Sequence, residues 1–205
     1  MLPFLLSTHM NNQEQGGKPS QEGYQAIEPF ILESTRRTIQ EKGIDALRVD
    51  DLAEADLDHI PWSGSALHVK HVAKELIRAK AREIDYLAVR SPEGYPVSIG
   101  GVDYAKEVGG GYLWQLGTHE KLRGLGLGTR LIREAEQRIA ARGEEWSRLE
   151  VETDNPRAKE LYERLGYEVY GTTIDSWMQL DKDGNEVKHT AECFQMRKRL
   201  KSDKG

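Results

Sequence analysis

The chain has 205 residues, with 29 Lys plus Arg against 34 Asp plus Glu, for a net charge of −5. That length suits one domain with an appendage, and the acidic balance argues against a general nucleic-acid coat or an anionic-membrane binder. A single cysteine excludes internal disulfides and any multi-cysteine metal site, and it fits a reducing, cytoplasmic compartment.

The opening run Met1-Leu2-Pro3-Phe4-Leu5-Leu6 is too short for a signal peptide, and Met10 offers an alternative start. No stretch reaches the roughly 18 apolar residues of a membrane span. Residues 11–22 read as a solvated linker. From Tyr24, apolar residues recur on one helical face (Ile27, Phe30, Ile31, Ile39) until Gly43, which predicts a helix over 24–42. This helix packs on its own domain or forms a homodimer contact.

Leu47-Arg48-Val49 is a short strand candidate. Residues 52–82 read as helical pieces broken near Pro61 and Gly64, with His68, Val72, Leu76 and Ile77 on one face of the second. Strands follow at 85–89 and 97–104 around the turn Ser91–Pro96. Gly109-Gly110-Gly111 makes a second turn before a strand at 112–116. The character then changes to alternating units. A helix spans 127–142, with Leu127, Leu131, Ala135 and Ile139 four apart, and a strand spans 149–153. A short helix at 156–165 has Pro156 at its first position and Gly166 just past its end. Strands at 167–170, 172–180 and 187–198 complete the chain, the last two around Asp181–Asn185. The fold class is α/β with a mixed sheet.

The most informative segment is Arg123-Gly124-Leu125-Gly126-Leu127-Gly128-Thr129. It follows a strand and opens a helix. Alternate glycines let main-chain N–H groups converge at the positive end of the helix, a phosphate-binding arrangement, and Arg123 adds a full charge. The spacing is G-x-G-x-G. A dinucleotide fingerprint needs G-x-G-x-x-G and a P-loop needs Gly-Lys-Ser/Thr, so both fail. A second run follows the helix: Leu149-x-Val151, then Asn155, Ala158, Leu161-Tyr162 and Gly166-Tyr167.

Together, these two motifs in this order resemble the GCN5-related N-acetyltransferase (GNAT) family over about residues 45–200. The resemblance implies a largely antiparallel central sheet with one splayed parallel strand pair and helices on both faces. Residues 1–44 would then be an extension and 201–205 a tail. It also implies acetyl-CoA as co-substrate, with its pyrophosphate on the backbone of Arg123 to Thr129 (Arg123, Gly124, Leu125, Gly126, Leu127, Gly128, Thr129). The pantetheine arm would run in the gap beside Leu116, Gly117 and Thr118, pairing with the main chain of Leu116 and Thr118 and with the Asn155 side chain. Asn155 is equally a helix N-cap ahead of Pro156. Tyr162 matches the family's general acid. Seven residues after Asn155, nearly two helical turns, it faces the same side; its alternative role is a core tyrosine.

The implied reaction passes the acetyl group directly to a neutral amine, so a base is needed. Glu152 ranks first, with Glu150, His119 and Glu120 behind it and Glu150 read as a solvated strand carboxylate. Cys193 is read as core, the run Arg197–Lys201 as a solvated end, and the scattered histidines show no metal spacing, so no metal is expected. In the family the acceptor is held by the segments at about 58–70 and 172–190. Trp62, His68, Asp175 and Trp177 are the candidates here, near Asp58, His59, Asp181, Asp183 and Glu186. Carboxylates beside tryptophan suit a cationic amine, such as a polyamine or an aminoglycoside-like antibiotic. A protein N-terminus or lysine is the alternative acceptor, and a non-catalytic acyl-CoA binder the alternative of another class. No nucleic-acid or membrane partner is expected.

Overall fold

The computed structural model describes residues 20–200. Of the expected linker at 11–22, residues 11–19 lie outside these residues, as do the apolar start, the choice between Met1 and Met10 and the tail at 201–205, while Gln21 and Glu22 already belong to the first helix. The described chain forms four α-helices and a seven-stranded sheet in the order β1-β2-β3-β4-β5-β7-β6. The helices are α1 (Gln21–Lys42), α2 (Ala66–Lys80), α3 (Leu127–Ala141) and α4 (Pro156–Arg164). The strands are β1 (Val49–Asp51), β2 (Ile84–Arg90), β3 (Pro96–Asp103), β4 (Gly110–Thr118), β5 (Trp146–Glu152), β6 (Glu168–Leu180) and β7 (Glu186–Arg199). Among the described residues no helix is long and apolar enough to cross a membrane.

Each helix follows from a local pattern. Helix α1 buries Tyr24, Ile31, Leu32 and Thr35 and ends where Gly43, at φ +83°, returns its N–H to Ile39 O. Its buried side chains belong to the main core together with Leu87, Leu131 and Leu149, so this helix packs on its own domain. In α3 the four-residue repeat Leu127, Leu131, Ala135, Ile139 is buried to 2 % exposure or less. Each of its large side chains contributes about 1.5–3 kcal/mol by leaving water. Helix α4 starts at Pro156 and is capped by Asn155, whose Oδ1 accepts from Ala158 N at 3.2 Å.

All neighbouring strands run antiparallel except β4 and β5. That parallel seam is short, running from Gly110 opposite Trp146 to Leu113 opposite Leu149. Beyond it the two strands part. Gln115, at φ +51°, sits in a bulge of β4 where the register with β3 slips between Ile99 and Gly101. Gly100 and Gly101 permit this approach: a Cβ on Gly101 would lie 2.3 Å from the Trp114 ring, and one on Gly100 2.5 Å from Leu116.

Several expectations shift. The first strand begins at Val49, because Leu47 turns into the core at 2 % exposure. Residues 54–59 and 61–63 are 3-10 turns rather than α-helix. Ile77 is 65 % exposed, so the inner face of α2 is Val72 and Leu76. Gly110 and Gly111 are buried strand residues, leaving Gly109 to make the turn. The two strands expected at 167–170 and 172–180 are one, β6, with a slip in register at Val169/Gly171. Arg197, Lys198 and Arg199 are not a free end: they lie in β7 and pair with Glu168, Glu136 and Glu145.

Candidate active site

Where β4 and β5 part, two cavities meet. The first, of about 550 Å³, opens over the glycine-rich turn and the start of α3. The turn requires two of its glycines, Gly124 and Gly126, which hold φ +85° and +89°, whereas a Cβ on Gly128 would make only ordinary contact with Thr118 Oγ1 at 3.7 Å. Gly126 caps α3, so unpaired N–H groups of the first helical turn face the cavity. Leu116, Gly117, Thr118, Arg123, Gly124, Gly126, Leu127, Gly128, Thr129, Asn155 and Tyr162 all line it. Leu125 does not; its side chain points outward at 36 % exposure. The sequence reading missed Arg157 and Arg164, which line the same cavity from α4. Three guanidinium groups and a helix N-terminus around one cleft suit a polyanion such as a pyrophosphate.

The second cavity, of about 560 Å³, lies on the other side of the parted strands. His68 and His71 of α2, Glu150 and Glu152 of β5, Asp175 and Trp177 of β6 and Cys193 of β7 line it. Leu116, Gly117, Asn155, Ala158 and Tyr162 belong to both cavities. The two cavities therefore adjoin at the end of β4 and the start of α4.

Tyr162 is 9 % exposed, its ring edge-on to Tyr167 at 6.1 Å. Burial pushes its phenol up to about 12, so it is protonated throughout the neutral range. Glu150 corrects the expectation of a solvated carboxylate. Its side chain is 11 % exposed; it accepts from Tyr112 Oη at 2.9 Å and Gln195 Nε2 at 3.2 Å, with Lys106 Nζ at 3.7 Å. Burial and the Glu150 charge both hold the Tyr112 phenol protonated, so it remains the donor. Glu152 is more open at 37 % and lies 3.8 Å from His189. His68 is pushed down, first by burial and then by His71, which favours its neutral form. Burial and the surrounding carboxylates raise the Cys193 thiol, so it remains a thiol rather than a nucleophilic thiolate. It is buried as expected, at the floor of the cavity.

Other candidates are placed elsewhere. Trp62 donates its Nε1–H to His59 O and packs on His119, lining neither cavity. His119 is 2 % exposed beneath α1 and hydrogen-bonded to Glu28, which removes it as a base; Glu120 is exposed. Asp58, His59, Asp181, Asp183 and Glu186 also line neither cavity. No group of three or more metal-ligating side chains comes together among the described residues. His71 was missed, and could have been found by noting that it follows His68 by three residues on α2.

Comparison with known proteins bears on this geometry. Residues 93–167 match the model of a family described as Acetyltransferase (GNAT) family. Spermidine N-acetyltransferase from Vibrio cholerae, solved with CoA and spermine, superposes with a TM-score of 0.59 at 14 % identity, covering 77 % of this chain and 98 % of that one. Ribosomal-protein-S18-alanine N-acetyltransferase from Escherichia coli gives 0.56 at 20 %, covering 75 % and 94 %. A phosphinothricin acetyltransferase from Sinorhizobium meliloti, solved with acetyl-CoA, gives 0.57 at 15 %, covering 78 % and 94 %. At these identities the likeness is one of fold.

Proposed function

We propose that the chain is an acetyltransferase of the GNAT family, whose model matches residues 93–167, and that it transfers an acetyl group from acetyl-CoA directly to a primary amine of a small, linear, cationic molecule. The observation that carries this reading is the wall shared by the two cavities. An anion-binding cleft and an acid-lined cleft meet at Leu116, Gly117, Asn155, Ala158 and Tyr162. In this reading the pyrophosphate rests on the turn from Arg123 to Thr129, and the pantetheine arm extends along Leu116–Thr118 and Asn155. The amine nitrogen forms its bond to the acetyl carbon while the carbon–sulfur bond breaks. Tyr162 donates a hydrogen bond to the departing sulfur, and a main-chain N–H of the Leu116–Thr118 segment faces the carbonyl oxygen. The amine's proton leaves toward Glu150 or Glu152, directly or through water, and the departing thiolate takes up a proton from solvent to end as free CoA thiol. We assign this chemistry to residues 45–200, in the reducing compartment that the single cysteine favours.

The acceptor class rests on register. Glu150 pairs with Gln195, Glu152 with Cys193, and Asp175 with Ala191, so these three carboxylates occupy successive rungs of one sheet face. Rungs on one face are roughly 6.8 Å apart along a strand, close to the reach of a propylene or butylene bridge between two ammonium groups. Trp177 and His189, with rings 4.6 Å apart, close the row at the next rung. A linear polyamine matches such a row better than a rigid aminoglycoside. The test is release of free CoA thiol with panels of polyamines, aminoglycosides and short peptides. Polyamines are expected to give the highest kcat/KM. Reaction with peptides alone would refute the acceptor class, and failure to bind acetyl-CoA would refute the cofactor reading.

A further inference from the structure

We infer that α1 and the turn after it form a brace that holds the glycine-rich turn in its anion-binding shape, and that Glu28, His119 and Arg36 are the positioning residues of that brace. The inference rests on the reading that this turn carries the cofactor's pyrophosphate. It concerns a helix that precedes the segment matched by the family model, residues 93–167.

The turn itself has little to order it. Arg123, Gly124, Leu125 and Gly126 are all exposed, and glycines lose more freedom than other residues when fixed. The N-terminal segment holds both of its feet. On the entering side, His119 caps the 3-10 turn Glu120–Leu122: its Nδ1 accepts from Lys121 N at 3.3 Å. The proton is thereby left on Nε2, which donates to Glu28 Oε1 of α1 at 3.2 Å. About two helical turns further along α1, Arg36 donates to Lys121 O at 2.5 Å. Leu122, immediately before Arg123, is fully buried beneath these contacts. On the leaving side, Gly126 O accepts from Arg130 N, and the Arg130 guanidinium lies 3.6 Å from Asp45. Ile44, two residues past the end of α1, packs on the core, its Cγ1 3.9 Å from where a Cβ on Gly126 would stand. A turn fixed at both ends presents its N–H groups before the anion arrives, so binding does not have to supply the ordering.

The decisive experiment compares the full chain with Glu28→Ala/Arg36→Ala and with Glu28→Gln, whose amide oxygen still accepts from His119. Calorimetry with CoA, amide hydrogen exchange of residues 123–128 and thermal melting are read for each. The double variant is expected to bind CoA about tenfold more weakly, the worth of one charge-supported hydrogen bond. Its turn should exchange faster while its melting temperature stays within a few degrees, and Glu28→Gln should bind as the parent does. Unchanged CoA affinity in the double variant overturns the brace. So does a loss of affinity that appears only with a large fall in melting temperature, or that Glu28→Gln shares in full. If the parent chain fails to bind CoA, the cofactor reading falls and the brace with it.

Discussion

Replacing Tyr162 by Phe removes one oxygen from a 9 % exposed ring and leaves its packing against Tyr167 intact. Among the described residues that oxygen has no hydrogen-bond partner, so the variant leaves no orphaned group behind. On the proposed mechanism the phenol, pushed up to about 12 by burial, would face a leaving thiolate whose conjugate acid has a reference value near 8.5. Each pH unit is 1.36 kcal/mol, so full proton transfer from Tyr162 to sulfur is uphill by about 5 kcal/mol. Hydrogen bonding is therefore the larger effect. A bond to a charged partner contributes about 1.5–3 kcal/mol, which sets the expected loss in kcat at roughly 10- to 150-fold, with KM values little changed. The sign of the shift adds a pH test. A raised phenol stays neutral up to about pH 12, so wild type and Tyr162→Phe should have kcat profiles of the same shape through pH 10, the variant simply lower. Steady-state assays of free thiol across pH 6–10 decide the matter. A variant with more than half of wild-type kcat, or one that loses a limb present in wild type, would refute this role.

Glu150→Gln keeps the size of the group that Tyr112 and Gln195 bind but removes its charge. kcat/KM at pH 7 should fall by about a hundredfold, and the deficit should narrow as pH rises toward the amine's own value near 10.4, where less base is needed. Asp175→Asn should raise KM for a linear diamine by roughly three- to tenfold, more in dilute buffer than at high salt, and leave a monoamine nearly unaffected. Gly101→Ala puts a Cβ where the Trp114 ring now lies. Overpacking of this kind costs about 1–3 kcal/mol, so thermal melting should drop by roughly 3–10 °C.

Local patterns made the second half of the chain readable. The spacing of Leu127, Leu131, Ala135 and Ile139, the proline and asparagine that open α4 and the alternate glycines of the turn each act within a few residues. What escaped depends on distant partners. His119 looks like a loop base until α1, some ninety residues earlier in the chain, covers it with Glu28. Glu150 looks solvated until Tyr112 and Gln195, on the strands either side of β5, close over it. Trp62 belongs by position to the acceptor segment, yet its indole N–H is taken by His59 O. Gly171 suggested a break in β6, but pairing with β7 carries the strand through it. Arg157 and Arg164 were passed over because an exposed arginine on a short helix has no distinctive spacing; only the direction α4 takes brings them to the cleft.

The two cavities draw on different parts of the chain. Every residue lining the anion cleft falls between Ser98 and Arg164, inside the segment matched by the family model. Much of the second cavity lies outside it, in Ser63–His71 before and Asp175–Cys193 after. On the proposed function, substitutions in those two flanking stretches would remodel which amine is accepted and leave the lining of the first cavity untouched. The fold is divided, in effect, into a fixed handle and an exchangeable jaw. On the proposed function, exchanging the β6–β7 tip between chains of this fold would move acceptor preference with it.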